Sequence, residues 1–307
     1  MKTRIPACVY SFGDSLVASG GPSVVTGNGP VDLVYGFGSM WVACQSDATI
    51  RRHGPDGAIQ ATINLGAVPH SANGVCVTAD SVWCADGAGY LVRIDPATNT
   101  VSANISIGAG SNPLHCAFDG NLVWTANRGA STLSKIDPAT NSIVGTVAIS
   151  QPSYRLCCDG LRMWAGSWNM GMVYAIDLAT GLIQSVSVNT TPWGMCTDGC
   201  FVWVSSYYDA KVLAINPWGT SPVVVYAAVL EAGAGPHSLL PVGQEVWVVN
   251  SSTGNIQAID KFTCQVTKKF AIGAGSDPAG LAFDGESVWA TGALSNKLYR
   301  FPVKERW

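Results

Sequence analysis

The chain has 307 residues, 48% of them hydrophobic, which is enough for a large core or two ordinary domains. Charged residues make up only 12%, about half the usual share, and the net charge is −3. That balance leaves no basic field for nucleic acid or anionic lipid, and no apolar run reaches the length of a membrane span.

The N-terminal stretch MKTRIPACVYSFGDSL has no apolar h-region, so no secretory signal is read and synthesis is expected to be cytoplasmic. Without an export signal the ten cysteines are expected to be reduced thiols. Residues 11–16, SFGDSL, resemble the nucleophile block of the GDSL hydrolases, which would make Ser15 a nucleophile opening a helix in an α/β fold. The following VASGGPSVVTGNGP is rich in Gly and β-branched residues and carries two prolines, so it cannot open a helix. None of His53, His70, His115 and His237 has Asp three residues before it, as that family requires. The match is read as a coincidence.

From Pro30 onward the chain repeats. Trp41, Trp83, Trp124, Trp164, Trp203, Trp247 and Trp289 recur at spacings of 42, 41, 40, 39, 44 and 42. A proline precedes each: Pro30, Pro69, Pro113, Pro152, Pro192, Pro236 and Pro278. A DG turn precedes Trp124, Trp164, Trp203 and Trp289, and a second turn follows in RIDPATNT, KIDPATNS, AIDLATGL and AINPWGTS. Each unit therefore reads as four short strands, and seven units predict an all-β fold, a single seven-bladed β-propeller over 1–307 with four-stranded antiparallel blades. The seventh unit lacks a good fourth strand. Part of the N-terminal segment 1–29 is expected to supply it as the outer strand of the last blade, removing an open edge.

The P-x(n)-DG-x-VW and IDPATN elements resemble the YVTN-type and streptogramin-lyase-like (virginiamycin B lyase-like) propellers across nearly the whole chain. The resemblance implies a fold and leaves function open, because this architecture hosts many activities.

In such a fold the strand after each proline lines the central channel. Residues just past Pro and about three past Trp then meet on one face. That set holds His70, His115, His237 and Asp86, and an aromatic group of Tyr154, Trp168, Trp193, Tyr207 and Tyr208 with Arg128 and Arg155 nearby. Aromatics with Arg are typical of binding surfaces, so these seven are the candidate binding residues.

Resemblance to the lyases implies an alternative in which His237 is the base of a magnesium-dependent elimination. The carboxylates it calls for, in a W-x-x-E pattern, are reduced here to Asp86. His70, His115, His237 and Asp86 are the alternative metal ligands. Cys76, Cys116, Cys157 and Cys196 fall in matching inner-strand places as small buried hydrophobes. The preferred reading is a binding or structural module without catalysis or cofactor. Its partner is another protein in an assembly, such as a phage virion or tail, or a glycan.

Overall fold

The computed structural model describes residues 17–19, 22–66, 70–188 and 191–303. The GDSL stretch with Ser15, and Pro69, lie outside them. The described residues form seven antiparallel sheets of four strands in chain order, one of them extended by a fifth. The described residues contain no α-helix, and none is long and apolar enough to cross a membrane.

The innermost strands are Pro30–Gly36, Ala72–Val77, Pro113–Phe118, Arg155–Cys158, Pro192–Thr197, Pro236–Val242 and Pro278–Phe283. Each packs on the inner strand of the next blade, and the seventh packs on the first, so the ring is closed. The Trp-bearing strands return antiparallel: Ser39–Cys44, Val82–Asp86, Val123–Asn127, Arg162–Ser167, Val202–Ser206, Glu245–Asn250 and Ser287–Gly292.

Closure follows the expectation for the last blade. Ser23–Val25 pairs antiparallel with Lys297–Tyr299 as its outer strand. A second pairing was not foreseen: Val17–Ser19 runs parallel to Lys269–Ala271 and adds a fifth strand to blade 6. The chain thus covers two neighbouring sheet edges before it enters blade 1, and unpaired edges are what β-proteins most need to cover.

The repeated tryptophans are the inter-blade packing units. Trp41 lies among Val75, Val82 and Cys84 of blade 2, and Trp124 among Leu156, Met163 and Ala165 of blade 4. A buried indole N–H needs an acceptor, and in six of the seven blades the residue five before the Trp supplies it. In blades 3, 4, 5 and 7 this is the DG-turn aspartate: Asp119, Asp159, Asp198 and Asp284 accept at 2.6, 2.8, 2.9 and 2.6 Å. Thr78 Oγ1 and the Gly36 carbonyl do so in blades 2 and 1. In blade 6 the position is Val242, which has no side-chain acceptor, and Trp247 Nε1 has no hydrogen-bond partner. The few cations are used in the same layer. Arg52, Arg93, Lys135, Arg162, Lys268 and Arg300 stand over six of the seven indoles at 4.5 to 6.0 Å.

One cysteine departs from its expected place. Cys76, Cys157 and Cys196 sit opposite Trp83, Trp164 and Trp203, but in blade 3 the residue opposite Trp124 is Ala117. Cys116 is one residue earlier, so strand alternation turns it to the other face, where its thiol meets the Gly74 and Trp83 carbonyls. Cys157 and Cys158 likewise face opposite neighbours.

Asp119→Ala removes the acceptor of Trp124 Nε1 and of the Asn121 and Leu122 backbone N–H groups. The expected loss is about 1–3 kcal/mol in urea unfolding. Glu286→Ala, at a carboxylate whose side chain is 86% exposed, is expected to stay within about 0.5 kcal/mol of the parent. Equal stability of the two variants would contradict the capping role.

Candidate functional site

The mouth of the channel is built from irregularities in the inner strands. In six blades the inner strand slips register against its Trp strand near its start: at Pro30/Asp32, Ala72/Val75, Pro113/His115, Pro192/Met195, Pro236/Leu239 and Pro278/Leu281. A bulge re-aims the residue it skips. The first skipped residues are Val31, Asn73, Leu114, Trp193, His237 and Ala279, and all six line one cavity of about 310 Å³. Arg128, Tyr154, Arg155, Trp168, Gln45, Asp277 and Ala293 complete its wall.

Close strand approach sets the geometry on the blade 5–6 side. A Cβ at Gly194 would fall 1.9 Å from the His237 carbonyl oxygen, so only glycine fits. The Gly194 N–H donates to Ser205 Oγ at 2.7 Å, and that hydroxyl donates to the His237 carbonyl at 2.7 Å. Trp193 is thereby held over the His237 ring, with centroids 4.5 Å apart.

The expected aromatic residues come together. Trp168 meets Trp193 edge to face at 4.9 Å, and Tyr154 touches both, at 5.3 and 5.7 Å. Tyr207 lies 5.9 Å from Trp193 and 5.2 Å from Tyr208, which is 71% exposed at the outer end of the row. Arg128 stands 5.1 Å over the Tyr154 ring. Arg155 instead turns toward the channel axis and pairs with Asp32 at 3.3 Å.

The histidines do not converge. His70 Nδ1 is hydrogen-bonded to Asp86, whose other oxygen accepts from the Ser71 and Ala88 N–H groups. His115 Nδ1 accepts from the Leu156 N–H at 3.3 Å, and Nε2 lies 3.6 Å from Asp32. His237 Nδ1 donates to the Ala279 carbonyl at 3.0 Å, which leaves Nε2 as a lone-pair acceptor. Burial, and then the Arg155 charge, push His237 down to about 3 and His115 well below the ordinary imidazole range. Burial raises Asp32 against the opposing pull of Arg155 and the Val75 N–H. No group of three or more His, Cys, Asp and Glu among the described residues is arranged to hold a metal ion.

Magnesium needs several hard oxygen ligands with free lone pairs. Asp86 and Asp32 are both committed to backbone N–H groups and to His70 or Arg155, and neither joins His237. The residues present do not fit a magnesium site.

Asp277 is the charged wall residue that the sequence analysis does not single out. It lies in the turn IGAGSDP, directly before Pro278. Its φ of +48° matches +46° at Asn112 in the related IGAGSNP, so both are left-handed turn residues that deliver the chain to the channel mouth. The signal was the repeat itself: whatever precedes the proline lies at the mouth.

No protein-family model matches the sequence, and none of the curated proteins gives a significant match. Solved structures share the fold. The virginiamycin B lyase from Staphylococcus aureus is 16% identical, with a TM-score of 0.80 over 92% of this chain and 99% of that one. A streptogramin B lyase is 15% identical, with a TM-score of 0.78 over 91% and 95%. A chain of a mitotic checkpoint complex is 14% identical, with a TM-score of 0.80 over 99% and 98%. The chain has the seven-bladed propeller fold of these proteins.

Unfolded imidazoles titrate near 6.5, so as pH falls the unfolded chain takes up protons before His115 and His237 do. Their contribution to stability is complete above about pH 6.5 and is lost progressively below it. Guanidinium unfolding is expected to show lower stability at about pH 5 than at about pH 7.5, and the double variant His115→Gln/His237→Gln is expected to narrow the gap. An unchanged gap in the double variant would contradict burial of neutral imidazoles.

Proposed function

We propose that the chain is a non-catalytic propeller that binds a partner at the channel mouth. The observation carrying this reading is the continuous row Tyr154, Trp168, Trp193, Tyr207 and Tyr208 opening onto a cavity of about 310 Å³. Concave aromatic walls with a few polar groups are the usual make-up of a binding site. Arg128 extends the patch over Tyr154, and Arg155 adds a second guanidinium to the cavity wall, the residue type most enriched, beside aromatics, where binding energy concentrates.

Two features of the chain favour membership of a larger protein assembly, a phage virion or tail being one concrete form. Charge is sparse over the whole chain, and six of its 17 Lys and Arg residues stand over the repeated indoles. A propeller of the same fold occurs within a mitotic checkpoint complex.

The lyase reading rests on His237 lying in the cavity wall. A general base works best with a pKa near the operating pH, and an imidazole pushed to about 3 is a weak one. The carboxylates of blades 1 and 2 are already engaged, as described above. The two readings separate directly. The protein incubated with a type B streptogramin and Mg²⁺, followed by mass spectrometry, is expected to give no ring-opened product. Turnover that His237→Ala abolishes would overturn the binding reading.

A further inference from the structure

We infer that the ligand of the channel mouth is a neutral saccharide, bound through a single ring. The inference rests on the binding reading above and specifies the chemistry it takes. The cavity of about 310 Å³ is at the lower end of the roughly 300–1,000 Å³ typical of small-ligand sites, which suits one ring rather than a large surface. Its platform is aromatic: Trp193 and Trp168 meet edge to face at 4.9 Å, forming a corner against which the apolar C–H face of a sugar ring packs.

The polar groups are distributed around the cavity rather than clustered. Arg128 comes from blade 3 and Asp277 from the entry to blade 7, which stand across the channel from each other in a seven-blade ring. His237 adds the Nε2 lone pair, and Gln45, whose Nε2 donates to Asn73 Oδ1 at 2.7 Å, adds its amide oxygen. A sugar carries hydroxyls around its whole perimeter, and each one buried needs a partner.

Charge favours a neutral ligand. Arg155 is offset by Asp32 at 3.3 Å, and the unpaired charges that remain in the wall, Arg128 and Asp277 on opposite sides of it, are one of each sign. His115 and His237, each held to a backbone group, add no charge. An acidic sugar would gain Arg128 but would face Asp277 across the same cavity. A wholly apolar ligand would strand both groups without partners.

The test is an array of neutral, uronate-containing and sialylated oligosaccharides probed with the intact protein, followed by calorimetric titration of the best ligand. Neutral glycans are expected to bind. Asp277→Asn, which suits the left-handed backbone at that position and should leave the fold intact, is expected to weaken binding about tenfold or more. Trp193→Ala is expected to abolish it, with the melting temperature as the control for folding. Preference for acidic glycans would overturn the inference, as would binding that neither variant changes. Absence of any glycan binding would overturn it too. If in that last case a photo-crosslinker at Tyr208 captures a protein partner, the saccharide falls and the binding reading stands.

Discussion

Everything in this molecule depends on the ring being closed. Four-stranded sheets with one buried indole each are not independent units. Trp41 is buried by blade 2 and Trp124 by blade 4, so a blade without its neighbour exposes its largest side chain. A ring of such units has no natural end, and the chain makes one by sending Ser23–Val25 back onto Lys297–Tyr299. The same junction is fastened elsewhere. Arg300 of blade 7 donates to the Pro55 carbonyl of blade 1, as Arg52 and Arg93 donate to Pro96 and Pro138 of the following blades. Thr26 bridges the entering segment to His53 at 2.9 Å.

Closure also makes the site. The cavity is lined by residues of all seven blades and belongs to none of them alone. The cavity exists because inner strands from all round the ring arrive together, and bulges turn one residue of each of six strands into it. The aromatic side of the mouth belongs to blades 4 and 5, with Arg128 of blade 3 over Tyr154 and Asp277 at the entry to blade 7 on the far side. A repeat that is nearly uniform in its core is thus diversified where strands begin. The turn aspartates and the cations over the indoles are spent on the core, and Arg128 and Asp277 are left at the mouth.

The architecture was legible because its signals are side chains with fixed jobs. The Trp spacing, the DG aspartate five residues before Trp and the IDPATN turn each report a buried packing unit, a capped indole or a positive-φ position. Asn99 and Asn141 are left-handed as that turn requires. The missing fourth strand of blade 7 pointed to the N-terminal segment. The parallel pairing of Val17–Ser19 was not legible, since pairing to a sheet edge is backbone chemistry without a residue code. The bulges were hidden as well: an extra residue after a proline looks like one more strand residue, and it is the bulge that decides which of Leu114 and His115 lines the cavity. Cys116 is a different case: it stands eight residues before its Trp where Cys76, Cys157 and Cys196 stand seven, and one residue is enough to turn a strand side chain to the other face. The aromatic group was legible as a set, whereas Asp277 was hidden in a turn that reads as plain structure.

The most direct measurement is calorimetry on the chain lacking residues 1–29, beside the intact protein. If closure is the constraint that holds the blades and shapes the mouth, removing the last blade's outer strand will lower the melting temperature sharply and broaden the transition. It will also release the tryptophan fluorescence that reports packing around Trp289 and the row at Trp193. A truncated chain that melted at the same temperature, in one equally sharp step, would show that seven blades stand without the latch, and the account would fail at its base.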